Sequence, residues 1–92
     1  MRTPVVASGV IDPGYVGFLR GRLGTRVRIG PAGADGRVGV EVRGHTDRSL
    51  AAELAGFGGL LEIEEPESLR GALREVGEEL VRRYARPPDP AD

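Results

Sequence analysis

The sequence predicts an α+β fold, in which a four-stranded antiparallel sheet carries two helices on one face and is followed by a C-terminal helix. Four segments have the residue pattern of strands, and three alternate apolar with polar side chains. Three other segments repeat apolar residues at helical spacing. The order is strand, helix, strand, strand, helix, strand, helix. Its first six members predict a ferredoxin-like βαββαβ sandwich.

The first strand and the first helix are predicted within residues 4–24. Residues 4–11 are rich in β-branched side chains, with apolar residues on both alternate sets, which is typical of a central strand covered on both faces. Asp12 and Pro13 favour a helix start, since the carboxylate accepts from free backbone N–H groups and the ring fixes φ. The helix is indicated by apolar residues at helical spacing before Gly24: Tyr15, Phe18, Leu19 and Leu23.

A β-hairpin is predicted over residues 25–43. Residues 25–29 alternate, with Val27 and Ile29 inward, and residues 37–43 alternate again with three Val on one face. The loop between them, residues 30–36, ends in Asp-Gly, which is a strong hairpin signal.

The second helix and the fourth strand follow the hairpin. Thr46 or Asp47 is expected to cap the helix, which ends at the glycine-rich residues 56–59. Residues 61–64 alternate and predict the fourth strand.

The last helix is predicted over residues 66–85. It carries one continuous apolar stripe, which consists of Leu69, Leu73, Val76, Leu80 and Tyr84. The Pro-rich residues that follow stop it. We therefore expect a single domain over residues 1–86 and a disordered tail over residues 87–92.

The composition excludes several classes of protein. The chain has 92 residues, no Cys and one His, so it has no disulfide framework or thiolate chemistry, and a zinc site is not expected. No run approaches the roughly 18–20 apolar residues of a membrane span, and the N-terminus lacks the apolar region of a signal peptide. We expect a soluble, cytoplasmic protein without a cofactor.

No catalytic or metal-binding residues are predicted. His45 lies near Asp47 in a connection, where a loop position beside a helix cap accounts for it better than a general base does. Four carboxylates near the last helix are better explained by the helix dipole than by a divalent metal: Glu62, Glu64, Glu65 and Glu67. The glycine-rich residues 56–59 follow a helix rather than precede one, so they do not form a phosphate-binding loop. A protein without enzymatic activity is expected.

Arginines of the predicted hairpin are the candidate ligand site. All 13 basic residues are Arg, which either reflects a GC-rich genome or serves bidentate recognition of phosphate or carboxylate. Alternation predicts that one polar sheet face carries four of them: Arg26, Arg28, Arg37 and Arg43. Such a face could bind an anionic ligand, a nucleic acid or an acidic partner. The alternative is a solvated face on which Glu41 supplies the local counter-charge.

Charge and aromatic content restrict what that face recognises. Residues 20–43 are rich in Arg and residues 53–79 are rich in Glu, which predicts a basic region and an acidic region. The predicted strands contain no Phe or Tyr, so base stacking of the RNA-recognition-motif type is excluded.

The C-terminal helix is the candidate interface. About 20 residues at 1.5 Å per residue reach roughly 30 Å, whereas four strands span only about 15 Å. Leu80, Val81 and Tyr84 are therefore expected to extend beyond the core and form an apolar patch. The patch would support a homodimer or docking on a neighbouring domain. The alternative is a helix that bends back and buries its whole stripe.

Residues 53–84 resemble a known family. A helix ends at Phe57-Gly58, a strand contains Ile63, a helix begins at Pro66 with Leu69-Arg70 after it, and the chain closes near Tyr84. This pattern resembles the C-terminal extension, the WCX domain, of bacterial WYL-domain transcriptional regulators. The resemblance is good over roughly residues 36–86.

The resemblance implies a ferredoxin-like fold and a role in effector sensing or oligomerisation of a DNA-binding regulator. Such regulators also carry a winged helix-turn-helix and a WYL domain with a Trp-Tyr-Leu signature, whereas this sequence has no Trp. An excised domain, a truncated gene product and a free-standing relative are all compatible with it. We expect a regulatory module of this type that forms a homodimer or docks to a WYL/helix-turn-helix regulator, with no membrane partner. The alternative is a free-standing dimeric interaction domain without a small-molecule ligand.

Overall fold

The computed structural model of the protein describes residues 4–85. Four strands are present: β1 (Val5–Ile11), β2 (Val27–Ala32), β3 (Val38–Gly44) and β4 (Leu61–Glu65). Three α-helices are present: α1 (Val16–Leu23), α2 (Asp47–Leu54) and α3 (Glu67–Tyr84). Short 3-10 turns occupy Pro13–Tyr15, Gly24–Arg26 and Ala55–Leu60. The predicted tail at residues 87–92 lies outside the described residues.

The four strands form one sheet in the order β2-β3-β1-β4, and every neighbouring pair is antiparallel. The predicted α+β class and the four-stranded antiparallel sheet are therefore confirmed. The predicted hairpin is also present, since β2 pairs with β3 and places Ile29 beside Val40.

The core lies between one face of the sheet and the helices. Alternate residues of the strands are buried there, because successive side chains of a strand point to opposite faces. The largest fully buried side chains come from both layers: Ile11, Leu19, Leu50, Leu69 and Val42. Burial of each such side chain contributes about 1.5–3 kcal/mol to folding.

The opposite face of the sheet is open, so the expectation that β1 is covered on both faces is wrong. Val6 and Ser8 are exposed, while their neighbour Ala7 is buried on the helix side. The expectation arose because β1 has valines at both alternate sets of positions, so both of its faces looked apolar. The helices of the described residues bury only the face that carries Ala7 and Ile11.

Gly9 permits a close approach of β1 and β4. It pairs with Ile63 of β4 and lies next to an irregularity in the register of the two strands. A Cβ atom there would collide with the carbonyl oxygen of Glu62 and would lie 2.9 Å from the Cα of Ile63. Glycine is therefore required where these two backbones meet.

The first helix differs from the expectation at its start, and it buries only some of the apolar residues at helical spacing. The Asp12 carboxylate accepts a hydrogen bond of 2.9 Å from the N–H of Gly14, as expected of a cap, but the first turn is a 3-10 turn. Leu19 is fully buried, whereas the Phe18 side chain is 59% exposed and meets Phe57 edge to face. A helix of eight residues has room to bury only one narrow stripe.

Two element boundaries in the middle of the chain were resolved by the structure. Strand β2 continues to Ala32, so Gly30 and Pro31 belong to the strand and not to the predicted loop. Thr46 rather than Asp47 caps α2, since its Oγ1 accepts a 3.0 Å hydrogen bond from the N–H of Ser49. Ser49 Oγ in turn accepts from the Thr46 N–H, which completes a capping box.

The apolar stripe of helix α3 is buried or partly buried up to Val76 and exposed beyond it. It packs against α2 and β4, where Leu69 and Val76 are buried and Leu73 is partly buried. Leu80 and Tyr84, further along the same stripe, are exposed. None of the helices in residues 4–85 is long and apolar enough to cross a membrane.

Candidate functional site

The four arginines of the predicted ligand site differ in the carboxylates that they contact. Arg26 lies in the 3-10 turn before β2, so strand alternation does not govern its direction. Its two terminal nitrogens donate to both carboxylate oxygens of Glu53 on α2, at 2.9 and 2.6 Å. This hydrogen bonding lowers the pKa of the Glu53 carboxyl. Arg26 is thus paired with a helix carboxylate, although it also lines one cleft with Arg28 and Arg43. Its part in a ligand site stays a prediction.

Arg37 lies just before β3 and is held by two carboxylates. Its Nε donates to Asp35 at 2.8 Å, and its Nη1 reaches Glu62 of β4 at 2.9 Å. These contacts raise the pKa of the Arg37 guanidinium and lower that of the Asp35 carboxyl. Since β1 separates β3 from β4, the Arg37 side chain bridges the open face at one end of the sheet.

Arg28 and Arg43 do share the open face, with Glu41 between them. The β2–β3 register places Arg28 opposite Glu41, and Arg43 Nη2 lies 3.5 Å from a Glu41 oxygen. The cleft that these side chains line together with Arg26 has a volume of about 80 Å³. Glu41 supplies the counter-charge that the solvated-face alternative requires. Anion binding at Arg28 and Arg43 stays a prediction.

The expected basic and acidic regions are joined by ion pairs in the fold. Arg26 and Arg37 of the Arg-rich segment pair with Glu53 and Glu62 of the Glu-rich segment. These contacts join residues 27 and 25 positions apart, so sequence alone does not disclose them. The two segments therefore neutralise each other locally.

The exposed end of α3 carries the predicted interface residues. The residues Leu80, Val81 and Tyr84 are 49%, 63% and 77% exposed. Leu80 and Tyr84 also line a shallow cavity of about 420 Å³ beside Arg48 of α2. Their role as an interface stays a prediction.

A groove that the sequence did not indicate runs between α3 and β4. We call it the α3–β4 groove, and its volume is about 430 Å³. Its apolar walls consist of Leu54, Ala55, Leu61, Ile63, Leu73 and Leu80. Gly58 and Gly77 also line it. The one signal in the sequence was Gly77, which lies between Leu73 and Leu80 without adding to the apolar stripe.

Charged side chains line part of the α3–β4 groove. Arg70 and Arg74, one helical turn apart on α3, lie 3.2 and 3.8 Å from different oxygens of Glu67. Glu62 also lines the groove, and its carboxylate accepts from Arg37. The groove thus combines apolar walls with two exposed guanidinium groups.

The other candidate residues form no group that could hold a metal ion in the described part of the chain. His45 lies in the connection between β3 and α2 and is exposed. Glu67 lies in the first turn of α3, where the helix dipole favours a carboxylate. Within residues 4–85, no three His, Cys, Asp or Glu residues are grouped to hold a metal ion, and no polar side chain is buried.

Comparison with known proteins gives one informative result. A family model described as the WCX domain matches residues 5–81, from β1 into the last turns of α3. The match includes the N-terminal strand and helix, where the resemblance in sequence was weak. A search of curated proteins finds no match.

Proposed function

The chain belongs to the WCX domain family, and we propose that it is a non-enzymatic regulatory module that serves effector sensing or oligomerisation in a WYL-type transcriptional regulator. The family is associated with regulators and is not an enzyme family, which supports a role without catalysis.

We further propose that the fold is ferredoxin-like. The order β2-β3-β1-β4 supports it, because β1 and β2 are separated by β3, and β3 and β4 are separated by β1. Each half of the chain is then a βαβ unit split by one strand of the other half, as the ferredoxin-like arrangement requires.

The observation that carries the functional proposal is the exposed apolar end of α3. Val81 and Tyr84 are more than half exposed, and Leu80 is about half exposed on the same helix. Grouped apolar side chains on a surface mark interaction sites more often than single ones do. We propose that this end of α3 contacts a second copy of the chain or the WYL/helix-turn-helix part of a regulator.

Sedimentation velocity at roughly 10–100 μM tests the self-association form of this proposal, since interface dissociation depends on concentration. We expect a dimer that Val81→Glu converts into a folded monomer. Val6→Glu is the matched control, because Val6 is also a partly exposed valine but lies on the open sheet face. The docking form is tested by mixing the chain with a separately produced WYL/helix-turn-helix fragment. A monomer that also fails to bind that fragment contradicts the proposal.

A free-standing dimeric interaction domain without a small-molecule ligand is the second candidate. It is favoured by four acids that form ion pairs with hairpin arginines, because these pairs engage guanidinium groups that a ligand would otherwise bind. The acids are Glu53, Asp35, Glu62 and Glu41. A dimer that binds no anion in any titration would support this candidate over effector sensing.

A further inference from the structure

We propose that the α3–β4 groove binds a small amphipathic carboxylate, with its apolar body along Leu73 and Leu80 and its carboxylate on Arg70 and Arg74. This inference deepens the proposed function, because it assigns a ligand class to the regulatory module. The proposed ligand site lies at the edge of the sheet opposite to the hairpin arginines.

The size and walls of the α3–β4 groove suit a small organic molecule. Its volume of about 430 Å³ falls within the roughly 300–1,000 Å³ of small-molecule pockets. Leu54 and Ile63 close its inner side, while Leu73 and Leu80 from α3 form its outer side. An apolar chain or ring placed there would be removed from water on several sides.

Gly77 keeps this space open. A Gly inside a helix costs about 1 kcal/mol relative to Ala, yet Gly77 lies within α3, which extends from Glu67 to Tyr84. A Cβ atom at Gly77 would meet nothing within 4 Å, so the core does not demand a glycine there. Since Gly77 lines the groove, a side chain at this position would occupy the volume proposed for the ligand.

The charges at the groove favour an anion. Arg70 and Arg74 lie four residues apart on α3, so their side chains project to the same side of the helix. Among the described residues they share one ion-pair partner, Glu67, and the contact with Arg74 is long at 3.8 Å. Glu62 is held by Arg37 across the sheet. Two guanidinium groups therefore face one weakly bound carboxylate, and guanidinium pairs well with a planar carboxylate.

The test is a titration of the whole protein with three probes that carry the same decyl group. Changes in the amide NMR shifts of the protein report binding. The probes are decanoate, 1-decanol and decyltrimethylammonium, each kept below its micellar concentration. We expect decanoate to shift the amides of Gly58, Gly77 and Leu80 saturably. Decanol should bind about tenfold more weakly, and the cation more weakly still.

Two sets of variants locate the site. Gly77→Leu fills the groove and should weaken decanoate binding by about tenfold or more, whereas Gly71→Leu should leave it within about twofold. Gly71 is the matched control, because it lies on the same helix, an added Cβ there would meet nothing within 4 Å, and it does not line the groove. The double variant Arg70→Gln/Arg74→Gln should reduce decanoate binding to the level of decanol and leave decanol binding unchanged.

Equal binding of the three probes, no saturable shifts, or equal binding by Gly77→Leu and Gly71→Leu would each overturn the inference. The comparison of probes on the unaltered chain needs no variant, so it remains decisive if Gly77→Leu does not fold. Failure of decanoate with an intact dimer would overturn this inference alone. Decanoate binding without dimerisation or docking would overturn the proposed interface and retain the ligand site.

Discussion

Arg48 of α2 and Glu79 of α3 form a paired ionic contact that joins the two helices. Arg48 Nη1 and Nη2 donate to the two oxygens of Glu79 at 2.6 and 2.8 Å, across 31 positions of sequence. This contact lies beside Leu80 and Tyr84, where α3 passes beyond the buried part of its stripe. It therefore holds the proposed interface end of α3 against α2.

The Arg48–Glu79 contact predicts an acid-dependent loss of stability. The hydrogen bond from Arg48 lowers the pKa of the Glu79 carboxyl below its ordinary value of 4.5. Because the folded state holds the carboxylate ionised, this stabilisation is present above pH 4.5 and is lost as the pH falls through the lowered folded value. Urea unfolding of the wild type and of Glu79→Gln, from neutral to acid pH, measures it. The two stability curves should converge as the pH falls.

Glu78→Gln is the control for this measurement, since Glu78 is the exposed neighbour on α3 and none of the described ion pairs includes it. Its curve should run parallel to that of the wild type. A constant gap between wild type and Glu79→Gln at every pH would contradict the assignment of the lowered pKa to the pair with Arg48.

Gly9→Ala should destabilise the sheet strongly. The added Cβ would meet the Glu62 carbonyl and the Cα of Ile63, which are backbone atoms that cannot rotate away. Overpacking of this kind costs about 1–3 kcal/mol, and a collision with backbone belongs at the upper end of that range. The free energy of unfolding in urea measures the loss.

Gly39→Ala is the matched control for Gly9→Ala. Gly39 lies on the neighbouring strand β3, and its added Cβ would make an ordinary contact of 3.8 Å with the Pro31 carbonyl oxygen. We expect no loss of stability from this change. Equal effects of the two substitutions would refute the close approach of β1 and β4.

Thr46→Ala should cost about 1 kcal/mol of folding stability, as removal of an N-cap usually does. The hydroxyl accepts from the Ser49 N–H at 3.0 Å, and its loss leaves that donor without its side-chain partner. Thr25→Ala is the control, because Thr25 is also exposed but lies in a 3-10 turn. Thermal unfolding, monitored by circular dichroism, compares the midpoint temperatures of the two variants, and we expect the lower one for Thr46→Ala. Identical midpoints for both variants would argue against the capping box.

Glu41→Gln should strengthen any anion binding at the open sheet face. Glu41 pairs with Arg43 and lies opposite Arg28 in the strand register, so its neutralisation removes a negative charge from between two guanidinium groups. Titration with a single-stranded oligonucleotide should give tighter binding by Glu41→Gln than by the wild type at low salt. Binding should weaken steeply by about 200 mM salt, because phosphate contacts release counterions.

Arg28→Ala in the Glu41→Gln background should then abolish that binding. If neither the wild type nor Glu41→Gln binds the oligonucleotide at low salt, the open face is a solvated surface. The anion-binding prediction for Arg28 and Arg43 would then be wrong.

Local signals in the sequence were reliable where neighbouring residues decide the structure. The alternation around Ile29 and Val40 predicted which side chains face the core, since the side-chain period of a strand is two. The cap at Thr46 was recognisable, because the donor that it satisfies lies three residues away. The resemblance to the WCX domain depended on such short patterns, and the family match confirmed it.

The features that the sequence left open depended on contacts between distant residues. Strand alternation does not disclose that the Arg26 guanidinium pairs with Glu53 of α2. Helical spacing alone does not separate Phe18, which is exposed, from Leu19, which is buried. In both cases the packing of another element determined the direction of the side chain.

By itself, the sequence determined the α+β class, the hairpin and the exposed apolar end of α3, because these follow from residue periodicity, turn chemistry and helix length. The family was indicated separately, by the resemblance of residues 53–84 to the WCX domain. Only the tertiary structure decided which carboxylate neutralises each arginine and where a groove remains open. The ion pairs of Arg26 and Arg37 and the α3–β4 groove each join segments that are far apart in the chain. Their geometry depends on how helices and strands pack, so no local pattern of residues predicts these ion pairs or this groove.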